Sequence, residues 1–154
     1  MGGLAPGAGG VTRERGIGWA IVAGYLFAGA INLIPIVGAS GGASLMRLYG
    51  VQVDDPDLLL LLRHRAMLLS AAGLAMLVAA ARPSWRPGAG LLGLASMASF
   101  AAICLAQGSV GSSLQRVLVV DLVAVPVLMS AWVLSCRTDG DRRIASPPPA
   151  GPAG

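Results

Sequence analysis

Residues 54–81 read DDPDLLLLLRHRAMLLSAAGLAMLVAAA, and this stretch decides the fold. It opens as a helix opens. An acidic N-cap precedes Pro56 at the first helical position, and Asp57 sits in the first turn. The apolar run then continues to Ala81, long enough to cross a bilayer, which takes about 20 residues. Only Arg63, His64 and Arg65 interrupt it. Charges inside a membrane segment are rare, and by default they mark a site or a structural ion pair.

The rest of the chain has the same character. Hydrophobic residues make up 55% and charged residues 12%, with mean hydropathy +0.74. A soluble domain carries about 25% charged residues, so the composition is that of an integral membrane protein. At about 20 residues per span, 154 residues accommodate four spans and not five. The expected class is all-α: an antiparallel four-helix transmembrane bundle with spans near 16–38, 56–81, 89–106 and 113–136. The Gly/Ala-rich segment 1–15 and the charged, then Pro/Gly-rich segment 137–154 are expected as disordered tails.

Local signals set the span edges. The first span runs well beyond the about 7–15 apolar residues of a signal peptide, and Val37-Gly38-Ala39 imitates a cleavage site only loosely. Ala20, Gly24, Ala28 and Asn32 recur every fourth residue and form a small-residue face ending in an amide. Such faces let membrane helices approach closely, and an amide can hydrogen-bond across the contact. Pro35 is expected to bend or end the helix. The connection 39–55 holds a short interfacial helix at 44–49, stopped by Gly50. Residues 82–87 make a tight turn with basic flanks. Ser112 and Gln115 have capping-box spacing, so the fourth span starts near Ser113, with a kink expected at Pro126.

Four spans put both termini on one side. That side collects seven arginines, at 13, 15, 82, 86, 137, 142 and 143, against four at 47, 63, 65 and 116. The positive-inside rule places both termini in the cytoplasm, and Trp19, Trp85 and Trp132 fall at that interface as an aromatic belt. The location expected is the inner, or plasma, membrane. The net charge of +4 is spread over span edges, so topology explains it and nucleic acid does not.

Depth then groups the polar residues. Arg63 and His64 lie seven and eight residues past Pro56, and Asp121 lies eight past Ser113. At the helical rise each is about 10–12 Å into the membrane from the outer side. Asn32 and Gln107 lie toward the same side. Asp121 has only Val117, Leu118, Ala124 and Val125 three and four positions away, so its own helix offers no partner. Arg63 and Arg65 are about 200° apart around a helix, so one turns inward to pair with Asp121 and the other snorkels to headgroups. Three readings compete for the cluster: a structural ion pair, recognition of an anionic headgroup or small acid, and a proton or redox relay through His64 and Asp121.

Other chemistry is poorly represented. One histidine and two separated cysteines, Cys104 and Cys136, argue against zinc or haem, and the cysteines are expected near opposite faces. No metal or cofactor is expected. Gly-Ser-Val-Gly-Ser-Ser at 108–113 lacks the lysine of a phosphate-binding loop.

The block Leu48-Tyr49-Gly50-Val51, then Asp54-Asp55-Pro56, then Leu60-Leu61-Leu62-Arg63-His64-Arg65-Ala66 resembles a group of small, uncharacterised bacterial four-span membrane proteins. An Arg…Asp pattern entering the fourth span, matched by Arg116 and Asp121, belongs to the same resemblance, which covers about residues 16–136. It implies Arg116 as a further site residue. Some members carry the label phosphopantetheine adenylyltransferase. That enzyme is a soluble α/β protein with a Gly-His motif after a strand, and this chain has no Gly-His pair. More distantly the layout is similar to DoxX-type membrane proteins, which implies, as the alternative, a redox-linked subunit meeting a quinone or thiol system. The leading expectation is a non-catalytic accessory or lipid- or small-anion-binding protein. Its partners would be membrane lipid and another protein or a second copy, with no nucleic acid.

Overall fold

The computed structural model describes residues 8–145. They form α1 (Ala8–Leu33), α2 (Gly42–Tyr49), α3 (Pro56–Ala81), α4 (Arg86–Gln107) and α5 (Ser112–Ala145), with 3-10 turns at Ile34–Ser40 and Pro83–Trp85. Among the described residues there is no strand. Four helices are long and apolar enough to cross a membrane, within Thr12–Ser40, Pro56–Ala81, Pro83–Gln107 and Ser112–Gly140. α1 packs on α3 and α5, and α4 packs on the same two, so the helices close a square with α1 and α4 on a diagonal. The protein is an all-α four-helix bundle of the multi-pass membrane type. Large apolar side chains such as Leu60, Leu91 and Ile103 cover the outside, where lipid replaces water.

The ends of the helices follow from local chemistry. Asp55 caps α3, its carboxylate accepting from the backbone N–H groups of Asp57 at 2.8 Å and Leu58 at 3.0 Å. Pro35 has no N–H to continue the α1 ladder, and the chain tightens into a 3-10 turn there. Gly50 closes α2 in the left-handed conformation at φ 66°, donating its N–H to Met46. α2 begins at Gly42, two residues before the expected edge, because the Gly41 carbonyl accepts from both Ser44 and Leu45. α4 begins at Arg86 rather than near 89. The Arg86 guanidinium turns back to the Ala79 and Ala80 carbonyls and covers the end of α3. Tyr25 Oη in turn donates to the Arg86 carbonyl at 2.7 Å.

α5 starts at Ser112, with the Gly111 carbonyl taking the first bond from Gln115, so Ser112 is inside the helix rather than its cap. The helix runs on through Pro126. Residues 8–15 and 137–145, expected as tail, continue α1 and α5; residues 1–7 and 146–154 of the expected tails lie outside the described residues. Once a span has nucleated a helix, each added residue needs little, and Arg13, Glu14, Arg15 and Arg137 are good helix formers.

The two halves of the bundle differ. Toward the termini, Ile21, Tyr25, Ala79, Ala80, Ala89 and Ala131 fill a packed core. Small residues set the spacing, as expected where lipid gives helices no hydrophobic reason to associate. A Cβ on Gly24 would lie 2.6 Å from the Ala131 Cβ, and one on Gly73 would lie 2.8 Å from the Gly29 carbonyl oxygen. Gly24, Ala28 and Asn32 of the expected small face are buried, whereas Ala20 at its lower end is exposed. The half away from the termini is not filled.

Candidate functional site

That unfilled half encloses a cavity of about 500 Å³ between α1, α3, α4 and α5, with α2 laid across it. Leu62, Leu69, Met97, Phe100, Leu114 and Val117 give it an apolar wall. The polar side chains that enter it are Asn32, Tyr49, Arg65, Ser96, Ser99, Gln107 and Asp121. The cavity therefore has the make-up of a ligand site, mostly apolar with a few convergent polar groups.

Four of the seven sequence-derived candidates line it: Asn32, Arg65, Gln107 and Asp121. Helix phase explains why. On α5, Leu114, Val117 and Asp121 follow at intervals of three and four and share one face. On α3, Leu62, Arg65 and Leu69 do the same, which puts the neighbouring residues elsewhere. Arg63 donates from Nε to the Ala39 carbonyl at 2.7 Å and ties the 3-10 turn to α3. His64 and Arg116 are exposed and do not line the cavity.

Asn32 donates from Nδ2 to the Ala28 carbonyl of its own helix at 3.1 Å, rather than across a helix contact. This leaves the amide oxygen for the cavity. Asp121 is only 7% exposed and makes no hydrogen bond or ion pair with another described residue. Among residues 12–140, no arginine nitrogen lies within 4.0 Å of a carboxylate. Arg65 instead lays its guanidinium over Phe100, 5.3 Å from the ring centroid, a cation–π contact that joins α3 to α4 at the rim. The cavity thus holds a basic and an acidic side chain that make no direct ion pair, although the Arg65 charge is felt at Asp121.

Tyr49 reaches the cavity from α2, outside the spans. Burial raises its phenol above the usual range; the Arg65 charge opposes this and the Asp121 charge adds to it. The hydroxyl stays protonated at neutral pH and remains a donor.

Sequence reasoning did not nominate Tyr49, Ser96, Ser99 or Phe100. A signal was present for the α4 group, since Ser96, Ser99, Phe100, Ile103 and Gln107 recur at helical spacing on one face. Tyr49 carried none, because only the fold of the 34–55 connection lays α2 over the bundle. Both cysteines are free, Cys104 buried at the cavity wall and Cys136 exposed. Among the described residues no three His, Cys, Asp or Glu side chains gather as metal ligands. No protein-family model, no curated protein and no solved structure matches the chain.

Proposed function

We propose that this is a non-catalytic protein of the bacterial inner membrane, with both termini cytoplasmic, that binds an amphipathic lipid or small acid in the outer half of its bundle. One observation carries the reading: a cavity of about 500 Å³ that is apolar over most of its wall but is lined by both Arg65 and Asp121, with no direct ion pair between them. Arg65 supplies a charge for an anionic group, and a guanidinium binds carboxylate or phosphate through two parallel hydrogen bonds. Tyr49 and Gln107 supply neutral donors beside it. The apolar wall accepts a hydrocarbon portion. The redox-linked alternative gains no support from the geometry, because His64, the one histidine, is outside the cavity lining.

Native mass spectrometry of the protein extracted from its membrane in mild detergent tests this. A reproducible bound amphiphile is expected in the wild type and in Arg116→Ala, and lost in Arg65→Ala. A protein that carries no such molecule, or one that Arg65→Ala retains in full, would overturn the reading.

A further inference from the structure

The opposed charges narrow the ligand. Asp121 is more than nine-tenths buried, lines the cavity, and accepts no hydrogen bond from another described residue. A carboxyl group that reaches an apolar-walled cavity and has no protein donor is best satisfied by a donor brought in from outside the chain. Arg65, in the same cavity, has no acceptor and lies on Phe100. Its natural complement is an anion. A purely anionic ligand would satisfy Arg65 and leave Asp121 unpaired or repelled. A purely cationic one would do the reverse.

One class of molecule answers both groups. It carries an anionic group and a hydrogen-bond-donating cation a few ångströms apart, on an apolar body. We propose that the cavity selects a zwitterionic lipid with a primary ammonium, its phosphate on Arg65 and its ammonium on Asp121. This rests on the amphiphile-binding reading above and specifies its ligand. A lipid, rather than a soluble zwitterion, fits the wall. Ile103 and Ser99 line the cavity and are also exposed on the bundle surface, as is Arg65 at the α3–α4 rim. The cavity therefore reaches the lipid-facing side of the bundle, where hydrocarbon tails would leave it for the bilayer. Phosphatidylethanolamine has this headgroup. Phosphatidylcholine keeps the charges but its quaternary nitrogen has no N–H to donate. Phosphatidylglycerol keeps the phosphate and has no cation.

The experiment is a titration of the full-length protein in nonionic detergent, read by native mass spectrometry, with these three lipids bearing identical acyl chains. Soluble phosphoethanolamine is added as a competitor. Phosphatidylethanolamine is expected to bind about tenfold more tightly than either other lipid, the scale of one charge-assisted hydrogen bond. Asp121→Asn should bring it down to the phosphatidylcholine level, and Asp121→Glu should keep part of the preference. Phosphoethanolamine should not compete. Equal binding of the three lipids by the wild type overturns the zwitterion proposal and leaves the amphiphile reading standing. Since the wild type alone decides that point, a variant that fails to fold does not blunt the test. Competition by phosphoethanolamine at lipid-like affinity overturns the assignment to a lipid. Lipid binding that survives Arg65→Ala in full overturns both readings.

Discussion

At the scale of single residues, the bundle is governed by what has no side chain. Gly73 on α3 sits against the α1 backbone: a Cβ there would meet the Gly29 oxygen and the Leu33 nitrogen, both at 2.8 Å. Backbone cannot swing aside as a side chain can, so the helices must part. Gly73→Ala is expected to lower stability by about 1–3 kcal/mol, the range for overpacking a tight contact. Gly88, near the start of α4, has nothing within 4 Å of a Cβ. Gly88→Ala should leave stability unchanged or raise it by up to about 1 kcal/mol through helix propensity. Denaturant unfolding of both variants in micelles checks the contrast, and equal effects would remove the close crossing as its cause. The small face at 24, 28 and 32 was readable from spacing. The Gly29–Gly73 crossing was not, because its two halves lie on different helices and neither has a local pattern.

At the scale of elements, most boundaries are local sentences in the sequence. Asp55 and Pro56 start α3 where their chemistry predicts, and Gly50 ends α2 in the conformation that glycine adopts without strain. Asp55→Ala removes an acceptor of two backbone N–H groups, and a loss of about 1 kcal/mol is expected, with Asp55→Asn losing less. Hydrogen exchange at the Asp57 and Leu58 amides should quicken in the alanine variant; unchanged protection there would contradict the cap. The start of α4 shows the limit of such reading. Arg86 belongs to α4 because its side chain reaches the last carbonyls of α3, and Trp132 on α5 donates from Nε1 to the Pro87 carbonyl at 3.1 Å. A tertiary contact moved that boundary by three residues.

At the scale of the whole molecule, the terminal half is packed and the opposite half is open. The exposed Ser84 lies in the turn between α3 and α4, on the side of the termini. The exposed Ser109 lies in the loop between α4 and α5, on the other side. With both native cysteines replaced, Ser109→Cys should react with a membrane-impermeant maleimide on intact bacterial cells, and Ser84→Cys only after the membrane is opened. The reverse result would invert the proposed orientation.

The sequence by itself determined the all-α class, the four apolar spans and local edges such as the start of α3 at Pro56, because hydropathy, span length and capping are properties of neighbouring residues. It also brought Arg65 and Asp121 to similar depth, since helical rise converts residue number into distance. Only the tertiary structure decided which polar residues share a space. Helix rotation turned Arg65 to the cavity rim and sent Arg63 to Ala39 and His64 away from the cavity, and the packing of four helices left Asp121 without a hydrogen bond or direct ion pair among the described residues. Rotation about a helix axis is set by the crossings at Gly24, Gly73 and their partners on other helices, which no single stretch of chain encodes.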